Sequence, residues 1–413
     1  DFCTMRLLHT SDWHLGHKLY NYSREPEHRQ FLTWLVAQIE HYAVDAVLVA
    51  GDIFDTGTPP SYARTLYYDF IATLHQHGIP LVLLAGNHDS PTTLGESQSL
   101  LARFGTRVIA STTTDPAKQV LVLPNRKGTA GVVLCAIPFM RPQDLCRSQA
   151  NQSPEDKQHA LHLAIQQHYR AVYQAAIAQR DALGGAWPIV ATGHLTVLGA
   201  QLSDSEREIY IGTLQALPVT AFPPVDYLAL GHLHRAQAVG GHAHIRYSGS
   251  PIPLSFSEAS QSKEVLLVDF SAEGLTAITP LSVPCFQPLR RVQGSLATLP
   301  AALQAACEQA TADLPVWLEV TVEEDDTLHD LNSRLQPLLL DVPAVMLRLR
   351  RARPQAALAL SLSTAATLEE LDPFEVFAKR LALESDTLSD ASRQQLIAHF
   401  KQVVDDVHAE PSA

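Results

Sequence analysis

Short apolar runs, nearly unbroken by polar residues, recur along the chain at 6–10, 46–50, 81–85, 132–137, 189–192, 227–230 and 265–270. Each reads as a strand. Between them, 27–42, 61–76 and 155–180 carry apolar residues at helical spacing. Strands that are apolar on both faces and alternate with helices imply sheets covered by helices, an α/β class. A different texture begins near 281–288. Val316, Leu318, Val320 and Val322 alternate with Trp317, Glu319, Thr321 and Glu323, the signature of a half-buried strand. Val345, Leu347 and Leu349 repeat the alternation, so a small second βαβαβ-like unit is expected.

The C-terminal part reads differently again. PQAALALSLSTAAT (354–367) is nearly uncharged and low in complexity, a linker by composition. Asp372, Pro373 and Glu375 then form a helix start, with Asp372 as cap, Pro373 in the first turn and Glu375 closing a capping box. Leu396, Phe400, Val403 and Val407 make one apolar stripe on a second helix. Two helices this short cannot bury a core of their own. Phe374, Phe377, Leu381, Leu396 and Phe400 are therefore candidate contacts, either with a partner or back on their own chain.

Composition narrows the class. The 413 residues are 46% apolar, enough for two or three domains with substantial cores. No apolar run reaches the ~18 residues of a membrane span. Met5-Arg6-Leu7-Leu8 reads as a natural start preceded by four extra residues, with no secretory leader. The five cysteines are scattered and lack a C-x-x-C pair, which points away from a disulfide framework and toward a reducing cytoplasm. A formal net charge of −13 argues by itself against nucleic-acid binding, unless bound cations or a local basic surface reverse it.

The chemistry lies at the strand ends. Asp12 and His14 follow the first strand, Asp52 and Asp55 the second, Asn87, His88 and Asp89 the third. His194, and then His232 and His234, follow two later ones. Strand ends in an α/β sheet gather on one edge, so these tips are expected to converge. Asp12/His14 and His232/His234, each i, i+2 in an extended segment, would aim both side chains to one side. Carboxylate, amide and imidazole donors suit Mn²⁺, Fe or Zn²⁺ better than Ca²⁺ or Mg²⁺. Seven such donors are too many for one ion with an open position and fit two, with Asp52 best placed to bridge. A lone His-x-His is more often a surface feature than a ligand. Five blocks in one order weigh against that bland reading.

The order D-x-H, G-D-x-x-D, G-N-H-D, G-H, G-H-x-H resembles the calcineurin-like metallophosphoesterase superfamily. HTSDWHLG (9–16), GDIFDTGTPPSYARTLYYDF (51–70), LAGNHDS (84–90), ATGHLTVLGA (191–200), ALGHLHRAQ (229–237) and YSGSPIPLSFSE (247–258) are similar, within it, to the SbcD family of bacterial nucleases. The resemblance implies a β-sandwich flanked by helices over 1–280, a small α+β capping domain that contacts DNA over 281–354, a linker at 355–367 and a helical segment at 368–413 that binds the ATPase SbcC. It implies that Asp12, His14, Asp52 and His234 hold one divalent ion, Mn²⁺ by preference, and that Asp52, Asn87, His194 and His232 hold the other. His88 would contact the scissile phosphate and assist the leaving oxygen. The implied activity is exonuclease and endonuclease cleavage of double-stranded DNA ends and hairpins in repair. The implied assembly has two copies of this chain and two of SbcC, in the cytoplasm at the nucleoid.

Several readings stay open beside these. Asp55 and Asp89 fit either ligand orientation or plain turn roles. Arg348, Arg350 and Arg351 are a solvated face or a DNA-backbone contact. His242 and His244 read as a hairpin face, and His17, His28, His41, His75, His77, His162 and His168 as solvated faces. A small-molecule phosphomonoesterase or nucleotidase on the same scaffold would use the same ligands. A metal-free binding scaffold would have lost some of them.

Overall fold

Two six-stranded sheets and one three-stranded sheet account for almost every apolar run. A computed structural model describes residues 5–128, 130–145, 153–184, 187–201, 216–323, 331–340 and 342–352, together with Leu396 and Phe400. Residues 1–352 form one unit and 353–413 another. In the second only Leu396 and Phe400 are described, and both are helical. The expected linker and the tail residues Phe374, Phe377 and Leu381 lie outside the described residues.

The first sheet starts with β1 (Met5–Thr10). A hairpin of two very short strands follows, β2 (Lys18–Leu19) and β3 (Tyr22–Ser23), then α1 (Glu25–His41), β4 (Ala46–Val49), α2 (Ser61–Gln76), β5 (Leu81–Leu84) and β6 (Thr106–Ile109). Strands β1, β4, β5 and β6 run parallel. The second sheet contains β7 (Val120–Pro124) and β8 (Ala130–Cys135), then, after the long helix α3 (Pro154–Ala182), β9 (Ile189–His194), β10 (Tyr227–Gly231), β11 (Gln237–Val239) and β12 (His242–Tyr247). The chain then returns to the first sheet through β13 (Glu264–Ser271) and β14 (Gly274–Ser282), with β13 antiparallel to β1.

Burial on both faces explains the unbroken apolar runs. Leu7, Leu48 and Val82 of the first sheet pack on Leu134, Val190 and Tyr227 of the second, with Phe270 among them. On the far side, Leu8, Val47 and Leu83 lie under Phe31 and Leu35 of α1 and Phe70 of α2. Val133, Ala191 and Leu230 lie under Ile165, Tyr169 and Val172 of α3. Helix α1 begins with Pro26 and two acidic residues in its first turn and ends near His41, in keeping with its dipole. Ser153 caps α3 by accepting from the Asp156 N–H. The sequence missed mainly the edge strands β7, β11 and β14 and the strand β12 beside β11, whose residues are only partly buried and so lack a continuous apolar run.

The third sheet, β15 (Leu289–Gly294), β16 (Val316–Val322) and β17 (Ala344–Arg351), is parallel throughout. Helices α4 (Leu299–Ala306) and α5 (Leu331–Leu340) supply Leu299, Leu303, Leu331 and Leu335 to Val292, Leu318, Val320 and Val322. One position departs from the expected alternation. Glu319 should face solvent but is 3% exposed, because Arg291, Arg348 and Arg350 close around it at 2.9, 3.3 and 3.8 Å. The sheet meets the β2–β3 hairpin: Leu289, Trp317 and Leu347 pack with Leu19 and Phe256. No helix among the described residues is long and apolar enough to cross a membrane.

Phe270 is 0% exposed between the two large sheets. Phe270→Ala is expected to lower unfolding stability by about 3–5 kcal/mol, read as a shift in the denaturant midpoint with little change in slope.

Candidate dimetal site

The predicted donors meet where the tips of the two large sheets abut, not on the edge of one open sheet. The tips of β1, β4 and β5 come from the first sheet, those of β9 and β10 from the second. Past the strand ends the backbone keeps pairing: the Asp12 N–H donates to Gly51 O, and the His14 N–H to Asp52 O, both at 3.0 Å. The extended geometry expected for Asp12 and His14 is not found. Asp12 (φ 53°), His14 (φ 47°), Asp52 (φ 50°) and His232 (φ 96°) all adopt left-handed backbone. Non-glycine residues rarely do so, and such strain concentrates at functional sites. Here it turns each side chain off the strand axis into a shared space.

Three groups of donors result: Asp12, His14 and His234, then Asp52, His194 and His232, and also His14, Asp55 and His88, each with ligand atoms within 4.8 Å of one another. Asn87 belongs with the second group: its Oδ1 lies 3.0 Å from His194 Nε2 and 2.9 Å from His232 Nδ1. Asp52 stands between the groups, with Oδ2 3.2 Å from His194 Nε2 and 3.6 Å from His14 Nε2. His194 is oriented by its other nitrogen, which donates to the Ala50 carbonyl at 2.9 Å. Asp12, His14, Asp52 and His194 form a buried floor, while Asn87, His88, His232 and His234 are only partly covered.

The electrostatics are those of a site that wants added positive charge. Burial pushes the Asp12 carboxyl up to about 6, against the pull of His194 and His234. Burial also drives His14 down to about 4 and, with the His194 charge, His232 down to about 3. At His194 burial is outweighed by the Asp52 carboxylate and its hydrogen bond, which lift the ring to about 9. Burial at Asp52 is likewise outweighed, chiefly by His194, so its carboxyl stays well below the usual range. His14 is 2% exposed, yet neither ring nitrogen has a directed hydrogen bond. Buried polar atoms left so are rare without a partner such as an ion. The oxygen and nitrogen donors therefore fit divalent cations.

The open readings now separate. Asp89, 1% exposed, accepts N–H groups from Ile53, Phe54 and Gly86 at 2.9–3.0 Å and so clamps the β4 and β5 tips together. Asp55 accepts from His17 Nδ1 at 2.9 Å and faces His14 Nδ1 at 3.2 Å. His17 is thus no solvated-face residue, since its Nε2 also donates to Leu254 O at 3.0 Å. His28 is 0% exposed on the inner side of α1, and burial lowers it to about 3. His162 and His168 are half-buried, while His41, His75 and His77 are exposed. His242 and His244 do lie on the β11–β12 hairpin. His88 lies beside Asp55 and His14: its Nδ1 donates to the Asp55 carbonyl at 2.8 Å and its ring stands 4.8 Å from that of His14. Sequence reasoning passed over Glu258, which is 0% exposed and 3.1 Å from His234 Nδ1. It lies in the stretch 247–258 already singled out by resemblance.

A family model described as "Calcineurin-like phosphoesterase" matches residues 5–236, and one described as "Type 5 capsule protein repressor C-terminal domain" matches 285–385. The chain belongs to the calcineurin-like phosphoesterase family. The D component of the SbcCD nuclease of Escherichia coli (strain K12) is 48% identical over 396 residues, covering 96% of each chain. The protein of the same name from Rhodobacter capsulatus is 34% identical over 86% of this chain and 89% of its own. That from Bacillus subtilis is 34% identical over 64% of this chain and 66% of its own. The chain is thus a metallophosphoesterase whose clustered donors suit divalent metals.

Gly86 tests this geometry. A Cβ there would sit 2.0 Å from Asp52 Oδ1 and 2.3 Å from the Asp52 backbone N. Neither can yield, because Oδ1 already holds the His88 N–H at 2.9 Å. Gly86→Ala is expected to weaken metal binding at least tenfold, measured as bound metal per chain after equilibration with graded Mn²⁺.

Proposed function

We propose that this chain is a metal-dependent DNA phosphodiesterase, acting as exonuclease and as endonuclease on double-stranded ends and hairpins. The observation that carries the reading is the pair of donor groups joined at Asp52. Relatives named as the D component of the SbcCD nuclease support DNA as the substrate and an SbcC-type ATPase as the partner. Asp12, His14, Asp52 and His234 would hold one cation, and Asp52, Asn87, His194 and His232 the other, with Mn²⁺ the favoured metal. When bound, the two cations polarise the phosphoryl group and acidify an attacking water.

The chain's own residues do the rest. Asp52 keeps its carboxylate between the groups because the His88 N–H occupies Oδ1 while Oδ2 faces His194. His88 donates its Nδ1–H to the Asp55 carbonyl, so Nε2 is the nitrogen turned to the departing oxygen, and it gives up a proton from the doubly protonated ring. Like Asn87, His232 and His234 it is only partly covered, so substrate can reach it.

Arg348 and Arg350, 40% and 51% exposed along the side chain, share one face of the third sheet with Arg291. With Glu319 compensating one charge, that face stays basic and suits a DNA backbone, and Arg351, paired with Val322, ends the same strand. Local arginines and bound cations thus offset the −13 net charge. The tail over 368–413 is proposed to dock on SbcC through Phe374, Phe377, Leu381, Leu396 and Phe400 as helix-in-groove recognition. Two copies with two SbcC chains, working in the cytoplasm at the nucleoid, complete the reading.

Purified chain with Mn²⁺ is expected to cleave a DNA hairpin, and His88→Ala to lose at least a hundredfold in rate while binding both metals. Hydrolysis of a mononucleotide alone would overturn the nuclease reading, and loss of metal by His88→Ala would make His88 a ligand. Deleting 368–413 is expected to abolish co-purification with SbcC and to leave the melting temperature of the remainder unchanged. Intact co-purification would remove the tail from the interface.

A further inference from the structure

The stretch YSGSPIPLSFSE and the lysine shortly after it have no place in the donor set, yet much of it closes on one donor. Glu258 Oε1 lies 3.1 Å from His234 Nδ1. Glu258 Oε2 takes Lys263 Nζ at 2.6 Å, and Ser250 Oγ and the Leu254 N–H at 3.2 Å. Lys263 also donates to the His234 carbonyl at 3.0 Å and to Ser250 Oγ at 2.8 Å. The Ser250 N–H reaches the same carbonyl at 3.2 Å. Gly249, at φ +73°, lets the turn press there: a Cβ would stand 2.8 Å from His234 O. Side chain and backbone of His234 are thus gripped together.

We propose that Glu258, anchored by Lys263, is a positioning residue for His234. It holds Nδ1 as the N–H tautomer and leaves the Nε2 lone pair for the cation shared with Asp12 and His14. A carboxylate can only accept, so the nitrogen facing it must donate. A buried carboxylate and ammonium, 0% and 7% exposed, are a costly way to build a turn unless their geometry is used. A carboxylate behind a metal-binding imidazole fixes the ring and raises its basicity. His194 has a comparable arrangement with a neutral acceptor, the Ala50 carbonyl. The two cation positions therefore differ in how their histidines are held. The inference rests on His234 being a ligand.

Three full-length proteins separate the possibilities: unmodified, Glu258→Gln and His234→Ala. Each is stripped of metal, checked by circular dichroism and titrated with Mn²⁺ by calorimetry and electron paramagnetic resonance. Glu258→Gln is expected to weaken one of two binding steps by about 10–100-fold, leaving the other within about twofold. The spin-coupled dimanganese signal should then give way to an uncoupled one until metal is raised, and saturating Mn²⁺ should restore most of kcat. His234→Ala should remove the same step outright. Two unchanged steps in Glu258→Gln overturn the positioning role. Two unchanged steps in His234→Ala overturn the ligand reading instead. Should Glu258→Gln fail to fold, Glu258→Gln/Lys263→Met removes both charges and is read the same way. Selective ¹⁵N-histidine spectra of the unmodified metal-free protein, with His234 assigned from the His234→Ala spectrum, should show Nδ1–H. An Nε2–H tautomer there overturns the proposal without any stability argument.

Discussion

The carboxylate of Asp52 is the interaction on which the site depends. It sits at the seam of two sheets, 1% exposed, touching groups delivered by three other strand tips. One oxygen takes the His88 N–H, the other lies between His194 and His14, and the Asp52 backbone carbonyl takes the His14 N–H. A buried carboxylate is tolerated only when compensated in this way. The compensation comes from both sheets at once, so the charge and the sandwich stabilise one another.

That requirement shapes the nearby backbone. Asp12, His14, Asp52 and His232 occupy left-handed conformations, and the strain is held by contacts around them. Asp89 clamps two tips through three N–H groups, and Asp55 with His17 braces the side nearest His14. Gly51, at φ +96°, lies so close to His194 that a Cβ would fall 2.1 Å from its Nδ1. Rigid strands, glycine clearances and accepting carboxylates together keep donors close that would otherwise repel or hydrate. This is preorganisation in a physical sense, since the desolvation and strain are met during folding rather than on binding.

The third sheet is built close to this machinery. Phe256, two residues before Glu258, packs with Leu289 of that sheet and stacks on Tyr20 of the hairpin that follows the first donors. Arg348 lies over the same Tyr20 ring. A basic face and the groups that hold His234 thus share a small set of aromatic contacts.

Much of this was legible in the sequence because it is local. Apolar runs buried on two faces announce central strands, and polar residues at once after them announce the tips. Hence Asp12, His14, Asp52, Asn87, His88, His194, His232 and His234 could be named as side chains at strand tips. Edge strands were not legible, since half-buried segments carry no unbroken run. Nor was the buried state of Glu319 and His28, or the pairing of His17 with Asp55 and Leu254, which depends on residues far away in the chain. The sequence by itself determined which donors exist and which strand delivers each. Tertiary structure alone decided that two sheets rather than one supply them, that left-handed backbone rather than extended strand aims them, and that Glu258 stands behind His234. Periodicity reports only what neighbouring residues do, whereas these features arise where segments some 24 to 220 residues apart are pressed together.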